Sequence, residues 1–69
     1  MTFEKISIFG LGYIGLPTAA LFADRRQNVI GVDIKKHNVD TINQGKIHIV
    51  EPDLDIIVND AVSEGFLRA

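Results

Sequence analysis

The chain has 69 residues, of which 46% are hydrophobic and 23% charged, a composition typical of one globular domain rather than a disordered segment. Its formal net charge is −2 without a basic stripe, which argues against a nucleic-acid partner, and the absence of cysteine excludes disulfides, thiolate metal sites and a cysteine nucleophile within these residues. The N-terminal residues lack the features of a signal peptide, and no apolar run approaches the roughly 20 residues of a membrane span, so we expect a cytoplasmic protein without a membrane partner.

The first predicted elements form a strand–helix–strand unit. Ile6–Phe9 is β-branched and aromatic and ends at Gly10, which predicts a strand buried on both faces. Residues 13–26 follow a helical pattern in which Pro17 falls in the first turn, where its missing N–H costs little. Residues 29–33 predict a second strand, and so short a connection makes the two strands parallel and the crossover right-handed.

Two further helices are predicted after the second strand. Residues 35–44 favour a short helix that buries Val39 and Ile42. Residues 46–51 predict a connecting loop or a short extended piece, and Pro52 suits the first position of a third helix. The apolar residues of that helix recur at the spacing of a single stripe, namely Leu54, Ile57, Val58, Ala61 and Val62.

The ends of these helices carry their own signals. Gly45 and Gly65 are predicted to end the second and third helix. Asp53 and Asp55 fall in the first turn of the third helix, where the helix dipole favours carboxylates. After Gly65 another apolar segment only begins, so two strands are evident where a mononucleotide-binding half needs three.

A glycine motif lies at the junction of the first strand and helix. Gly10-Leu11-Gly12-Tyr13-Ile14-Gly15 has the pattern G-x-G-x-x-G, and Asp33, at the end of the second strand, lies 18 positions after the last glycine. This context and a spacing near 20 are those of a Rossmann dinucleotide-binding fold. A plain strand–helix turn followed by a solvated acid would not require all of these features together.

Each position of the motif has a physical role. Gly10 permits the sharp turn out of the strand, Gly12 lets a phosphate approach the backbone, and Gly15 lets the helix pack closely on the sheet. The N–H groups near Tyr13 and Ile14 are predicted to face a pyrophosphate at the start of the helix. These residues therefore form the predicted cofactor site.

The cofactor is predicted from Asp33, which can accept hydrogen bonds from an adenosine ribose. A carboxylate there repels a 2′-phosphate, so NAD is favoured over NADP. Lys35 and Lys36 would neutralise such a phosphate, although we interpret them as an exposed helix start. FAD proteins share the glycine pattern and are the minor alternative.

Two histidines and an acidic pair suggest other chemistry. His37 and His48 are 11 positions apart without clustered ligands, so we assign them surface or cofactor-rim roles and predict no metal site. Glu51 and Asp53 flank Pro52 and could form an acid pair, but their position at a helix start makes capping the better interpretation. No catalytic residue is predicted in this chain.

The segment Phe9-Gly10-Leu11-Gly12-Tyr13-Ile14-Gly15-Leu16-Pro17-Thr18-Ala19-Ala20 resembles the N-terminus of the UDP-glucose/GDP-mannose dehydrogenase family. Ile47-His48-Ile49-Val50-Glu51-Pro52-Asp53-Leu54 is similar to that family's loop containing Glu-Pro. Together with Gly31-Val32-Asp33-Ile34 and Thr41-Ile42-Asn43, it looks most like the branch that oxidises UDP-N-acetyl-D-mannosamine in enteric bacteria. The resemblance covers the whole chain but only the first part of such an enzyme.

The resemblance implies a two-step oxidation of the sugar C6 alcohol to a carboxylate, through an aldehyde and a thioester on a catalytic cysteine. Two NAD are consumed, and UDP-N-acetyl-D-mannosaminuronate is made for surface polysaccharide such as enterobacterial common antigen. The family's catalytic cysteine, lysine and asparagine lie downstream of these residues. The nucleotide sugar is thus a partner only of the full-length enzyme, which is expected to be a homo-oligomer.

The resemblance also implies roles for residues of this chain. The family's cofactor contacts match Gly10, Gly12, Tyr13, Ile14, Gly15 and Asp33, and Lys35 is expected to approach the adenosine. Several family members have an arginine soon after the second strand, where this chain has Asn38. No arginine-type contact is therefore expected at that position.

We therefore expect an α/β fold over residues 1–69, an incomplete N-terminal portion of a Rossmann NAD-binding domain in the order β-α-β-α-α with parallel strands. It would be the first piece of a nucleotide-sugar dehydrogenase. The alternatives are a free-standing nucleotide-binding module and the N-terminus of a UDP-glucose 6-dehydrogenase. One edge and the apolar face of the first strand would lack cover, so we expect marginal stability and no dehydrogenase activity from the chain alone.

Overall fold

Three parallel strands and three helices make up the described part of the chain. The computed structural model describes residues 5–69, and residues 1–4, which were predicted to carry no signal peptide, lie outside that range. The elements in chain order are β1 (Ile6–Phe9), α1 (Gly15–Asp24), β2 (Val29–Val32), α2 (Lys36–Asn43), α3 (Leu54–Ser63) and β3 (Leu67–Arg68). The strands lie in the order β1-β2-β3 and both pairs are parallel, which confirms the predicted α/β class.

The sheet contains one strand more than the sequence predicts. Val29 of β2 lies opposite Ile6 of β1 and opposite Leu67 of β3, and its N–H donates to the Phe66 carbonyl oxygen at 2.7 Å. The expectation of only two strands is therefore wrong. With two residues, β3 is too short to show an alternating pattern, and only its pairing with β2 defines it. One ground for expecting marginal stability, the missing third strand, is removed.

The hydrophobic core lies between the sheet and the helices. α1 contacts all three strands and also packs against α3. Alanines at buried positions of α1 allow this close packing, and α3 presents its predicted stripe, with Val58 fully buried. The buried residues of the core are Leu11, Leu16, Ala19, Ala20, Ala23, Val29, Ile42, Ile49, Leu54, Val58, Ala61 and Leu67.

The opposite face of the sheet is uncovered in residues 5–69. Ile6 and Ile8 pack against the core, but the alternate residue Ser7 is exposed and the Phe9 side chain is 79% exposed. The prediction that β1 is buried on both faces is wrong, because α1 and α3 supply cover on one face only. β1 is also an edge strand of the sheet formed by residues 5–69.

The helices begin later than predicted. α1 starts at Gly15 rather than Tyr13, and Ile14 in the preceding position is 84% exposed. α3 starts at Leu54, so Pro52 precedes the helix instead of occupying its first position.

The boundaries of the helices also show how they are terminated. Asp53 precedes α3 with a φ of 63° and makes no side-chain capping hydrogen bond, so the capping interpretation is wrong for Asp53. Asp55 does lie in the first turn of α3. Gly45 and Gly65 follow α2 and α3 with φ values of 75° and 84°, which confirms them as helix ends. The longest helices in residues 5–69 have ten residues, and none of them could cross a lipid bilayer.

Candidate functional site

The turn between β1 and α1 brings a strand and a helix into direct contact. Gly10 has a φ of 87°, which residues with a side chain rarely adopt, and its N–H donates to the Val32 carbonyl oxygen at 2.7 Å. A Cβ atom at Gly15 would overlap the carbonyl oxygen of Gly10. Glycine at position 15 is therefore required by backbone-to-backbone packing.

Gly12 lies in a different environment from the other two glycines. A Cβ atom there would meet no atom of residues 5–69 within 4 Å, so the space beside it is open in this part of the chain. Among residues 5–69, the N–H groups of Gly12, Tyr13 and Ile14 donate no backbone hydrogen bond. Unpaired N–H groups at the start of a helix favour an anion, because the helix dipole is positive there.

A groove runs beside this turn along the free edge of β1. Its volume is about 640 Å³, within the size range of small-molecule sites. The lining combines the glycine turn with outward-facing strand residues and includes Ser7, Phe9, Gly12, Tyr13, Ile14 and Thr18. The side chains of Tyr13 and Ile14 are 70% and 84% exposed, so they stand at its rim rather than in the core.

Asp33 connects the end of β2 to the glycine turn. Its Oδ2 atom accepts a hydrogen bond from the Leu11 N–H at 3.0 Å and from the Asn38 side-chain amide at 3.3 Å. Its Oδ1 atom accepts one from the Lys35 N–H at 2.9 Å. The acidic residue and the glycine motif, 22 positions apart at Leu11 and Asp33, are thus parts of one site.

The same donors lower the pKa of Asp33 below its ordinary value of 3.8. The largest cause is the hydrogen bond from the Lys35 backbone, followed by those from the Leu11 backbone and the Asn38 side chain. Desolvation of the carboxyl group opposes this shift of the pKa, and the smallest contribution, an electrostatic interaction with His48, favours it. Asp33 therefore carries its negative charge at neutral pH.

Leu11 is a residue whose role the sequence did not reveal. Its side chain is fully buried over Gly31, where a Cβ atom would come within 2.7 Å of a Leu11 methyl group. Burial of this side chain fixes the backbone N–H that reaches Asp33. The sequence did contain a signal for this contact. Leu11 is an apolar residue between two glycines, and the next strand carries a glycine, Gly31, that leaves room for its side chain.

The two lysines after β2 differ in what they contact. Lys35 reaches Asp33 through its backbone N–H, and it stands in the position before α2. The Lys36 ammonium group donates to the Asp40 carboxylate at 2.6 Å, one helical turn further on. That contact supports the interpretation of Lys36 as part of an exposed helix face.

The two histidines lie in different surroundings. His37 is exposed, and its carbonyl oxygen accepts a hydrogen bond from the Thr41 hydroxyl at 2.7 Å. His48 is half-buried, with both ring nitrogens enclosed and without a hydrogen-bond partner in the described residues. Within residues 5–69, no three His, Cys, Asp or Glu residues are grouped as a metal site would need.

The match to known proteins extends over nearly the whole chain. Residues 4–69 match the model of the UDP-glucose/GDP-mannose dehydrogenase family, NAD binding domain. The chain belongs to this family. Its cofactor is NAD, and the Rossmann class of its fold is confirmed.

Individual members of the family are similar in sequence. The UDP-N-acetyl-D-mannosamine dehydrogenase of Escherichia coli (strain K12) is 68% identical over 69 residues, which are 100% of this chain and 16% of that protein. The NDP-N-acetyl-D-galactosaminuronic acid dehydrogenase of Ralstonia nicotianae is 69% identical over 67 residues, 97% of this chain and 16% of that protein. The chain thus spans about one sixth of the length of these relatives.

Solved structures share the arrangement of elements. A GDP-mannose dehydrogenase from Pseudomonas aeruginosa superimposes with a TM-score of 0.91 at 42% identity, over 96% of this chain and 15% of that one. The UDP-N-acetyl-mannosamine dehydrogenase of Staphylococcus aureus gives a TM-score of 0.89 at 42% identity, over 93% of this chain and 16% of that one. Both support the parallel βαβ arrangement around the glycine turn.

The contrast between Gly12 and Gly15 yields a matched pair of substitutions. Gly12→Ala adds a methyl group in open space, so we expect the free energy of unfolding to stay within about 0.5 kcal/mol of the wild type. The same methyl group would obstruct an approaching phosphate, so NAD affinity should fall about tenfold or more. Gly15→Ala forces α1 away from β1 and should destabilise the fold by about 3 kcal/mol. Thermal melts and NAD calorimetry of both variants check this, and equal stability of the two would contradict it.

The lowered pKa of Asp33 predicts how stability depends on pH. A depressed folded-state pKa stabilises the fold above the ordinary value of 3.8, and this contribution is lost as the pH falls through the folded-state pKa. Asp33→Asn lacks the ionised carboxylate. We expect its melting temperature to lie below that of the wild type at about pH 7. The two melting temperatures should become equal at about pH 2. Circular dichroism melts across this range measure the difference, and a constant gap would rule out the ionised carboxylate as its cause.

Proposed function

We propose that the glycine turn and Asp33 bind NAD. Gly10 and Gly15 shape the turn, and the open space at Gly12 with the unpaired N–H groups of Tyr13 and Ile14 fits a pyrophosphate. The ionised Asp33 fits the hydroxyl groups of the adenosine ribose. We expect Lys35, whose N–H donates to Asp33, to lie near the adenosine. The observation that carries the proposal is the hydrogen bond from the Leu11 N–H to Asp33, because it places the acidic residue beside the turn.

The proposed site also accounts for a preference between the two nicotinamide cofactors. The carboxylate of Asp33 is charged at neutral pH and would repel the 2′-phosphate of NADP. The Lys36 ammonium group contacts Asp40 rather than Asp33, so the proposed preference rests on the charge of the Asp33 carboxylate. We therefore propose that the site prefers NAD, as the sequence predicts.

We further propose that this chain serves an enzyme that oxidises UDP-N-acetyl-D-mannosamine to UDP-N-acetyl-D-mannosaminuronate with two NAD. The support is the 68% identity with the Escherichia coli enzyme over all 69 residues. Bound NAD supplies a hydride acceptor, and this chain's own residues bind and orient it. The enzyme would be cytoplasmic and, in its full-length form, homo-oligomeric. The 69 residues contain no cysteine, and we propose that alone they do not catalyse the oxidation.

A second candidate substrate has similar support. The Ralstonia nicotianae relative, named for N-acetyl-D-galactosaminuronic acid, is 69% identical over 67 residues. These values do not separate the two sugars. An N-acetylgalactosamine nucleotide is therefore the alternative substrate, and the structural relative named for UDP-glucose, at 35% identity, gives less support to UDP-glucose.

A chimeric enzyme tests the cofactor-binding role. The corresponding segment of the Escherichia coli dehydrogenase is replaced by residues 1–69, and NADH formation from UDP-N-acetyl-D-mannosamine is followed by absorbance. We expect a rate within about tenfold of the parent, because cofactor contacts made by this segment are retained. Asp33→Ala in the chimera should raise the KM for NAD about tenfold or more, since it removes hydrogen bonds to a charged acceptor.

The isolated chain is the control for catalysis. With the same substrates it should form no NADH. NADH formation by the chain alone would contradict the proposal that these 69 residues do not catalyse the oxidation by themselves. A folded chimera that shows no response to NAD would contradict the cofactor-binding role. The choice of sugar is tested on the longer gene product that we propose carries this chain, by comparing kcat/KM for the two N-acetylhexosamine nucleotides.

A further inference from the structure

The protein donors around Asp33 do not use the full hydrogen-bonding capacity of its carboxylate. An ionised carboxylate offers about four acceptor positions, two on each oxygen. Among the donors of residues 5–69, Oδ2 accepts from the Leu11 N–H and the Asn38 amide, whereas Oδ1 accepts from the Lys35 N–H. These donors occupy three of the positions, so Oδ1 can accept one further hydrogen bond. A ribose presents two neighbouring hydroxyl groups. Oδ1 can accept a hydrogen bond from the first, but the second can donate to Oδ2 only if one of the two donors already there leaves.

Asn38 is the partner that can make this exchange. The Leu11 N–H is fixed by the glycine turn and the Lys35 N–H by the start of α2, so neither backbone donor can leave without a change in the fold. Asn38 binds through a side chain, and its 3.3 Å bond is the longest of the three. It lies in the first turn of α2, half-buried, with its own N–H donating to the Lys35 carbonyl oxygen at 3.0 Å.

A hydroxyl group both donates and accepts hydrogen bonds. The side chains of Asp33 and Asn38 supply the matching acceptor and donor. The carboxylate of Asp33 accepts the hydroxyl proton, and the freed Asn38 amide donates to the hydroxyl oxygen. We propose that Asn38 is a binding residue for NAD that, together with Asp33, recognises a hydroxyl group of the adenosine ribose. This inference rests on the proposed binding of NAD at Asp33.

The Asp33 and Asn38 side chains together carry one negative charge, which lies on the Asp33 carboxylate. The Asn38 amide is neutral, so it donates a hydrogen bond without offsetting the negative charge of Asp33. Asn38 therefore allows the hydroxyl to be bound while the repulsion that disfavours NADP is kept.

The test combines variants with ligand analogues, using the 69-residue chain and dissociation constants from NMR titration. The ligands are NAD and an NAD analogue that lacks both hydroxyl groups of the adenosine ribose. Asn38→Ala should weaken NAD binding about three- to tenfold, the effect of losing one hydrogen bond. It should change binding of the analogue less than about twofold, because the hydroxyl contact is already absent. Asn38→Asp, which replaces the donor by an acceptor, should weaken NAD binding at least as much.

The control is Asn59→Ala, which makes the same substitution on α3, where the amide donates to the Gly45 carbonyl oxygen at 3.4 Å. It should leave both dissociation constants unchanged. If Asn38→Ala weakens both ligands equally, or neither, Asn38 does not recognise the hydroxyl and the inference is overturned. If the wild type shows no NAD binding, or Asp33→Ala leaves NAD binding unchanged, the proposed function fails as well.

Discussion

The hydrogen bond between the Leu11 N–H and the Asp33 carboxylate joins the two halves of the site. Leu11 belongs to the turn after β1, and Asp33 follows β2, so this contact fixes the ends of two neighbouring strands relative to each other. Burial of the Leu11 side chain over Gly31 keeps the N–H in place. Because the Gly10 N–H also bonds to Val32, the turn is held at both ends, and the open surface at Gly12 has a defined position.

Local signals made much of this site predictable from the sequence. Gly10 needs a positive φ and Gly15 needs the absence of a Cβ, and both are single-residue requirements that a sequence displays. Asp33 was identified through its spacing from the motif. The hydrogen bond from Asn38 to Asp33 was not predicted, because a contact from the first turn of α2 to the end of β2 has no sequence pattern of its own. Leu11 was missed for a similar reason, since its burial depends on Gly31.

The errors about the fold have a common cause. β3 consists of two residues whose strand character comes from pairing with Val29, and Phe9 is exposed because no element of the described residues covers that face of the sheet. Both depend on long-range neighbours rather than on local pattern. The uncovered face and the free edge of β1 adjoin the groove at the glycine turn, which is where a Rossmann fold places further strands and the rest of its ligand.

The glycine turn and Asp33 with its donors are distant in the sequence, and we propose that together they bind one NAD molecule. NAD-induced changes in the ¹H–¹⁵N amide spectrum of the ¹⁵N-labelled chain map which residues respond. We expect the largest shifts to occur together, with one dissociation constant, at Leu11 to Gly15 and at Asp33 to Asn38. Shifts confined to one of these segments, or centred elsewhere on the chain, would contradict it.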